Sequence, residues 1–345
     1  MKKLSKTLQI WLYSISTLVV LVAAIGVYEY VQFFGQKTEK EVMVYVYPDM
    51  TRDALVDSLA VYFGEDMAGK FETLCQFEDI NPKSRRGAYK VKAGTSPFYL
   101  WRKLTRGSQS PINFTFNNKR MLKNFAEGVG ETMMISADSI YSYISNPEVY
   151  KELGFTKETF PAMFIPDTYE LYWTSSAKTI VKKMHEGYEA FWNESRRKQA
   201  KALGLTPVQV STLASIVEEE TAQNAEKPIV AGLYLNRLRI GMKLQADPTV
   251  KFAVGDTQLR RILNRHLTTD SPYNTYLYAG LPPGPIRLSD KSSLLAVLNA
   301  KKHNYLYMCA KEDFSGTHRF TASLSEHNYN ARLYQAALNK RGIKK

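Results

Sequence analysis

Apolar positions recur with a helical period over residues 207–224. At about 100° per residue, Leu213, Ile216 and Val217 fall on one apolar stripe of the predicted helix. Glu220 lies three residues after Val217 and four after Ile216, which places its carboxylate near the centre of that stripe. A carboxyl group held against apolar side chains is harder to ionise, so its pKa rises. A raised pKa is what a general acid requires near neutral pH.

The two residues before Glu220 are also glutamates, and the helical period turns Glu218 and Glu219 toward the polar flanks. A different interpretation of Glu220 is a partly buried residue paired with a cation or an amide, because structural ion pairs also perturb pKa values. The segments that follow the helix favour the catalytic interpretation.

A second helix is predicted over residues 229–239. Lys227-Pro228 restarts the helix, since proline is tolerated in a first turn, and Gly241 ends it. The inner face of this helix is apolar and aromatic: Val230, Leu233, Tyr234 and Leu238. A polar loop, LQADPT at 244–249, comes next and has little structural reason for its polar side chains.

The N-terminus carries a different pattern. A basic segment, MKKLSK, precedes an uncharged stretch at 7–28 that is apolar enough for one membrane crossing. Lysines in the short segment before this stretch predict that the N-terminus is cytoplasmic and that the chain after Glu29 is extracytoplasmic. The alternative is a cleaved secretory signal, for which Val22-Ala23-Ala24 is a poor cleavage site. The length of the apolar stretch favours an uncleaved anchor.

A small α+β module is predicted after the anchor. Residues 42–47 and 87–91 are typical of strands, being rich in valine and tyrosine. Between them, 51–62 predicts an amphipathic helix with Thr51 as its cap, and 71–77 a short second helix. A further helix follows Gly94-Thr95-Ser96.

Beyond residue 110 the pattern predicts further mixed structure. A strand is expected at 112–116, amphipathic helices at 121–126 and 136–145, and one long charged helix at 179–203.

Several motifs occur in a fixed order over residues 161–328: FIPDTYELY, ASIVEEET, LYLNRLRIGMKLQADPTV, SPYNTYLYAGLPPGPI, YLYMCA and HRFTASLSEHN. This ordered set resembles the YceG-like family of endolytic murein transglycosylases, also called the MltG type. In that family the catalytic acid is the glutamate directly before a threonine, which here is Glu220. Relatives often carry lysine where this chain has Glu219, a position predicted to lie off the apolar stripe.

The resemblance implies cleavage of the β-1,4 bond between N-acetylmuramic acid (MurNAc) and N-acetylglucosamine (GlcNAc) in nascent peptidoglycan. The C6 hydroxyl of the sugar replaces water in this reaction, so one glutamate can act first as acid and then as base. The product carries a 1,6-anhydro-MurNAc end, and the cut terminates glycan elongation. The resemblance implies no cofactor and no metal; its partners would be glycan strands, the membrane and peptidoglycan synthases.

Polar and aromatic residues in these motifs are the candidates for binding the sugar chain: Gln245, Asp247, Thr249, Tyr273, Asn274, Thr275, Tyr276, Tyr169 and Asn236. For three of them the sequence leaves a structural role open. Asp247 suits an Asx turn before Pro248, Tyr169 suits packing, and Asn236 suits bracing of its helix. Asp247 is also the candidate for a second carboxylate, which would allow ordinary hydrolysis.

The charge and the cysteines change this picture little. The formal net charge is +13, but the chain carries no known nucleic-acid-binding motif or concentrated basic arm, so nucleic acid is not expected as a partner. A basic surface suits anionic lipids and peptide carboxylates. The five histidines show no metal-binding spacing. Cys75 and Cys309 are expected to be packed thiols, with one disulfide as the alternative.

The predicted strand, helix, helix and strand after the anchor resemble the LysM-like module that precedes the catalytic domain in this family. Pattern and resemblance together predict an α+β protein in three parts: a cytoplasmic tip and transmembrane anchor at 1–34, a LysM-like module at 35–110 and a catalytic domain at 111–345. The expected location is the bacterial inner membrane, with the catalytic domain extracytoplasmic. Two rivals remain, namely a hydrolytic muramidase that uses Asp247 and a non-catalytic wall-binding scaffold. Sugar binding by the LysM-like module is left open.

Overall fold

A computed structural model describes residues 5–117, 120–256, 259 and 262–342. The chain forms a mixed α+β structure, which confirms the predicted class. It divides into two compact units: the first comprises the chain up to Ile112 together with Glu170–Thr174, and the second comprises Asn113–Tyr169 and the chain from Ser175 onward. The functional boundaries placed at residues 34 and 110 stay predictions.

The N-terminal apolar stretch forms one long helix. Helix α1 (Lys6–Tyr30) begins at Ser5, whose side chain accepts a hydrogen bond from the Leu8 N–H. A π-helical turn (Val31–Gly35) continues it. The most apolar part of this combined segment has a mean hydropathy of 2.2, and the segment is long enough to cross a membrane. Met1–Leu4, which carry most of the basic segment, lie outside the described residues.

The first unit contains an antiparallel strand pair with helices packed on it. β1 (Val42–Val46) pairs with β2 (Gly87–Val91), with Val44 opposite Tyr89, and the predicted strands are confirmed. The helices are α2 (Arg52–Phe63), α3 (Glu65–Cys75), α4 (Pro82–Arg85) and α5 (Pro97–Thr105). Thr51 caps α2 as predicted. Helix α3 begins before the predicted residue 71, and its buried face (Met67, Phe71, Leu74) belongs to the core of this unit.

The second unit begins with two strands and three helices. β3 (Pro111–Phe116) pairs with β4 (Asp167–Tyr172), and the division between the units crosses both strands. The helices are α6 (Leu122–Thr132), α7 (Ala137–Ser145) and α8 (Pro147–Glu152), followed by a 3₁₀ turn at Phe160–Met163. An aromatic cluster joins the strands to α6: Phe114, Phe116, Phe125, Phe164 and Tyr169.

The single long helix predicted at 179–203 is wrong. The structure has two helices there, α9 (Ala177–Phe191) and α10 (Glu194–Ala202). The Asn193 side chain accepts a hydrogen bond from the Arg196 N–H and so caps α10. Asparagine is a preferred N-cap residue, and this local bond favours the start of a new helix over continuation of the old one.

The centre of the second unit is α11 (Pro207–Glu220), in which every residue from Val210 to Glu218 is buried. It packs against α12 (Lys227–Arg239), α13 (Asp247–Val254) and α15 (Lys291–Leu298). A short helix, α14 (Asn264–Leu267), lies between α13 and α15 in the chain. On α12, Val230, Leu233 and Tyr234 of the predicted inner face are buried, whereas Leu238 is only half-buried. Gly241 follows the helix with a φ of +69°. A helix enclosed on every side is a rigid support for the residue at its end.

The last elements form a hairpin and a helix. β5 (Tyr307–Ala310) pairs antiparallel with β6 (His318–Thr321), with Cys309 opposite Arg319. Helix α16 (Leu324–Lys340) packs on both strands. Both cysteines are free thiols in this structure: Cys75 is buried, as expected of a packed thiol, and Cys309 is half-buried.

Two boundaries near the site differ from the sequence-based prediction. Helix α11 ends at Glu220, not near residue 224, because Thr221 turns to an extended conformation with φ −144° and ψ 133°. The segment at 244–249 was predicted to be a loop, but only residues 244–246 form one. Asp247, Pro248 and Thr249 form the first turn of α13. Proline suits that first turn, where an N–H has no intrahelical partner.

Candidate active site

Glu220 is the last residue of α11, and its side chain reaches a cavity. The helix places Glu220 on the stripe of Ile216 and Val217, both fully buried, as the period predicts. The Tyr234 hydroxyl on α12 donates a hydrogen bond of 2.6 Å to Glu220 Oε1. Among the described residues no donor is found for Oε2, so that oxygen is available to a ligand.

Burial raises the pKa of Glu220 to about 7. The Tyr234 hydrogen bond and the Arg237 guanidinium lower this pKa, whereas the nearby carboxylates Asp247 and Glu219 raise it. Glu220 also stands at the negative end of the α11 macrodipole, which disfavours a carboxylate. Although the residue keeps some exposed surface toward the cavity, the surrounding protein leaves the charged form poorly solvated.

The neighbouring glutamates are held by one arginine. Arg287 NH1 lies 2.7 Å from Glu219 Oε1 and NH2 lies 3.2 Å from Glu218 Oε1. The Asp290 N–H donates to Glu218 Oε2 at 2.9 Å. Glu218 is buried, so the prediction that it points to a polar flank is wrong. Neighbouring helices cover α11 on that side too. Arg287 supplies the positive charge with which a buried carboxylate must be paired.

The residue after Glu220 is anchored by a buried carboxylate. Thr221 Oγ1 donates to Glu226 Oε2 at 3.3 Å. Glu226 accepts two further hydrogen bonds from His318, one from the backbone N–H at 2.8 Å and one involving Nδ1 at 3.0 Å. Because these bonds join the end of α11 to β6, they fix the direction in which Glu220 leaves the helix.

The cavity at Glu220 has a volume of about 390 Å³. Its lining comes from α11, α12, the loop and first turn of α13, the segment at 276, the β5 strand and α16: Glu220, Leu233, Tyr234, Arg237, Gln245, Asp247, Tyr276, Tyr307, Met308, Leu324, His327 and Asn328. This volume lies within the range of roughly 300–1,000 Å³ typical of ligand sites. Most of this lining is polar, and Leu233, Met308 and Leu324 are its apolar members.

Gln245 enters the cavity from a strained backbone. Its φ is +47°, a left-handed conformation that residues other than glycine adopt rarely and at a cost. Three hydrogen bonds to Thr275 hold this loop: Gln245 N–H to the Thr275 carbonyl at 3.1 Å, Ala246 N–H to Oγ1 at 3.0 Å, and Thr249 to Oγ1 at 2.8 Å. The motif segments at 245–249 and 275 therefore form one rigid unit.

Asp247 faces the same cavity with a tyrosine partner. The Tyr276 hydroxyl donates to Asp247 Oδ1 at 2.7 Å, and burial together with the Asp247 charge raises the pKa of Tyr276 well above its usual range. The site thus holds a protonatable carboxyl and a second carboxylate, each with its own tyrosine donor.

The sequence profile of the YceG-like family matches residues 44–333. The chain belongs to the YceG-like family. This match includes the first unit from Val44 onward as well as the Glu220 cavity, so the family assignment covers most of the chain.

Curated relatives share this family's sequence features. The chain is 37% identical over 164 residues to the endolytic murein transglycosylase of Bacillus subtilis, a match that covers 48% of this chain and 43% of the relative. It is 26% identical over 188 residues to the endolytic murein transglycosylase of Streptococcus pneumoniae strain D39, covering 52% and 33%. The matches therefore span less than half the length of these relatives.

A solved structure shares the fold. The crystal structure of a YceG-like protein from Listeria monocytogenes superposes with a TM-score of 0.57 at 22% identity, over 84% of this chain and 98% of the other. At this identity the likeness concerns the fold alone.

The structure brings three of the predicted sugar-binding residues into the YceG-like cavity with Glu220: Gln245, Asp247 and Tyr276. The other candidates lie outside its lining, and their polar atoms have protein partners or face elsewhere. Thr249 and Thr275 bond to each other. The Asn274 amide donates to the Leu267 and Thr269 carbonyls.

The remaining three candidates have structural contacts of their own. Tyr169 is buried and donates to the Ile165 carbonyl at 2.6 Å, while Asn236 donates to the His303 and Tyr305 carbonyls at 2.8 and 3.0 Å. These contacts fit the packing and bracing roles that the sequence left open. Tyr273 lines a different, larger cavity. Glycan contact by these six residues stays a prediction.

The sequence analysis gave no role to several residues that the structure places in the cavity. Tyr234 was expected only as an inward residue of α12, and Arg237, Tyr307 and His327 had no assigned function. Arg237 is held by the Leu306 and Leu244 carbonyls at 2.6 Å each. His327 stacks on Tyr307, and burial, then Arg237, lowers its pKa. The available signal was their position inside the family motifs.

Within the described part of the chain, no group of three or more histidine, cysteine, aspartate or glutamate side chains is arranged to hold a metal ion.

Proposed function

We propose that this chain is an endolytic murein transglycosylase that cuts the MurNAc–GlcNAc bond of nascent peptidoglycan and leaves 1,6-anhydro-MurNAc ends. The observation that carries the proposal is Glu220, a carboxyl with a pKa of about 7 in a cavity of about 390 Å³. The names of the curated relatives support the reaction class.

In the first step, protonated Glu220 donates its proton to O4 of the leaving GlcNAc. The C1–O4 bond of MurNAc breaks, and positive charge develops on the ring as an oxocarbenium-like state forms. In the second step the C6 hydroxyl of the same MurNAc attacks C1, and the Glu220 carboxylate accepts its proton. The carboxyl is thereby returned to its protonated form, and no water or cofactor is consumed.

The surroundings of Glu220 suit both steps. Tyr234 and Arg237 stabilise the carboxylate that exists between them, since both lower the pKa of Glu220. Asp247 places a negative charge in the cavity where the ring becomes positive. Because Asp247 is exposed in the structure, its effect on that positive charge is strongest once the bound glycan displaces water from the cavity. Acid–base assistance contributes about 10²–10⁴-fold to the rate enhancement of an enzyme. The fixed positions of these groups supply much of the remaining enhancement.

The hydrolytic alternative assigns a different role to Asp247. As a general base, it would activate a water molecule against C1 and give a reducing end. Asp247 lines the cavity, which is what this hydrolytic reaction requires. The names of the relatives favour transglycosylation instead. A non-catalytic scaffold has no use for a carboxyl whose charged form is poorly solvated.

We also propose that α1 anchors the enzyme in the bacterial inner membrane, with the N-terminus cytoplasmic and the Glu220 cavity outside. The support is one apolar helix of sufficient length and a substrate that lies outside that membrane. Peptidoglycan synthases are the expected protein partners, because both act on the same nascent strand. Nucleic acid is not a proposed partner.

The first unit is proposed to be a LysM-like module. Its two antiparallel strands enclose helices α2 and α3 and the short helix α4 in the chain, and this arrangement supports the assignment. The functional division that we propose is an anchor at 1–34, this module at 35–110 and a catalytic domain at 111–345.

Product analysis with Glu220→Gln tests the proposal. Full-length protein in detergent is incubated with purified glycan, and products are measured by mass spectrometry. Wild type is expected to give anhydro-ended fragments, and Glu220→Gln to give a rate lower by about 10²–10⁴-fold. Glu152→Gln, an exposed glutamate on α8, is the matched control and should cleave normally. Anhydro products from Glu220→Gln at the wild-type rate would reject the assignment, and fragments heavier by one water would support the muramidase.

A further inference from the structure

The second unit contains another cavity, larger than the one at Glu220. Its volume is about 720 Å³. Aromatic side chains from four separate segments form much of its wall: Tyr141, Tyr150, Phe252 and Tyr273. Nothing in the transglycosylation chemistry uses this cavity, and it belongs entirely to the second unit.

The rim of the larger cavity is basic. Arg120, Lys123 and Lys157 line it together with Glu158, the carboxylate of the rim. Both lysines are exposed, and for neither does the described part of the chain show an ion-pair partner. Arg120 lies 3.8 Å from Glu219. A site with apolar walls and unpaired cations at its edge is complementary to a ligand that carries both aliphatic groups and carboxylates.

Two elements contribute a residue to each cavity, and an ion pair links a third element to both. Helix α13 places Asp247 in the Glu220 cavity and Phe252 in the larger one, about 7.5 Å further along its axis at 1.5 Å per residue. The segment at 273–276 contributes Tyr273 to the larger cavity and Tyr276 to the smaller. Glu220 ends α11, while its neighbour Glu219 is bound by Arg287 of the larger cavity. The two sites therefore lie within the span of one substrate molecule.

From these observations we infer that the larger cavity binds the acidic peptide stem of the peptidoglycan strand whose glycan occupies the Glu220 cavity. This inference rests on the proposed function, and it adds substrate selection: strands that carry peptide stems are cut in preference to bare glycan. The apolar wall packs against the alanine methyl groups and aliphatic chain of the stem. Lys123 and Lys157 attract its carboxylates.

The test compares two substrates and two double variants. Peptide-bearing glycan and glycan whose stems have been removed by an amidase are cleaved by full-length protein, and kcat/KM is measured for each. Lys123→Glu/Lys157→Glu reverses the charge at the rim. Lys178→Glu/Lys201→Glu changes net charge equally at exposed positions on α9 and α10 that line neither cavity. Circular dichroism confirms that both variants are folded.

Wild type and the control are expected to prefer peptide-bearing glycan. The rim variant is expected to lose about fivefold to tenfold of that preference, as charge reversal of two partly solvated contacts predicts. A wild-type enzyme that cuts both substrates equally well would overturn the inference. So would a rim variant that loses activity on both substrates in parallel, because that result indicates a glycan subsite or a structural role.

A binding measurement separates this inference from the proposed reaction. Full-length Glu220→Gln is titrated calorimetrically with the tetrapeptide L-Ala-γ-D-Glu-meso-diaminopimelate-D-Ala, and with the same peptide amidated at its carboxylates. Binding of the acidic peptide only, weakened by the rim substitutions but not by the control, supports the inference even if no cleavage is ever observed. No difference between the two peptides overturns it, whatever the enzyme does to glycan.

Discussion

Replacing Glu220 by glutamine should stabilise the protein in a way that depends on pH. In the folded protein the pKa of Glu220 is raised to about 7, from an ordinary value of 4.5. Glutamine keeps the shape of the side chain and can still accept the Tyr234 hydrogen bond, but it carries no charge that burial could disfavour. The comparison therefore isolates the free energy of holding an ionisable group in the cavity.

The direction of this pH dependence follows from which state, folded or unfolded, binds the Glu220 proton more tightly. Below pH 4.5 the carboxyl is protonated in both the folded and unfolded states, and ionisation contributes nothing to the difference. Between pH 4.5 and 7 the unfolded chain ionises while the folded protein keeps its proton, so wild type loses stability as the pH rises. At 1.36 kcal/mol per pKa unit, the loss reaches about 3 kcal/mol above pH 7.

The assay is thermal unfolding of full-length protein in detergent, followed by circular dichroism between pH 4 and pH 8. Glu220→Gln is expected to unfold roughly 6–12 °C higher than wild type at pH 8, and at about the same temperature at pH 4. Glu152→Gln is the control and should follow wild type throughout. A Glu220→Gln difference that does not change with pH, or a loss of stability at pH 8, would refute the reasoning about this carboxyl.

Three other predictions follow from the site and its support. With the pKa of Glu220 near 7, log kcat/KM for glycan cleavage should fall with a slope of −1 above that pH, and a flat profile to pH 9 would contradict a general-acid role. Tyr234→Phe removes a hydrogen bond that lowers this pKa, so the pH at which log kcat/KM begins to fall should increase. A decrease in that pH would show that the bond does not lower the pKa of Glu220. Gly284→Ala would place a Cβ 1.9 Å from the Glu158 carbonyl oxygen, and a loss of about 1–3 kcal/mol in unfolding free energy is expected. Gly69→Ala, whose Cβ meets no atom within 4 Å, is its control and should be neutral or slightly stabilising.

Periodicity was enough to locate the central carboxylate and its helix. The stripe of Ile216, Val217 and Glu220 depends only on the helical repeat, and the structure has it as predicted. The end of α11 was not predictable in the same way, because Thr221 turns away through a bond to Glu226, whose own partner His318 is distant in sequence. A local pattern contains no information about that contact.

The same limit explains why the hydrogen-bond partners of other polar residues could not be predicted. Glu218 looks like a surface residue in the sequence, yet Arg287 makes its burial possible. Asn236 and Asn274 have the chemistry of sugar ligands, but their amides satisfy backbone carbonyls that folding would otherwise leave without donors. Sequence identifies which groups can form hydrogen bonds, whereas the fold decides which of them remain free for a ligand.

The far wall of the Glu220 cavity comes from β5 and α16, which are synthesised long after the acidic residue itself. The lining of this cavity is therefore complete only in a chain whose last hairpin and last helix are folded. Packing of the C-terminal elements is thus a condition for the environment that surrounds the carboxyl group at the end of α11.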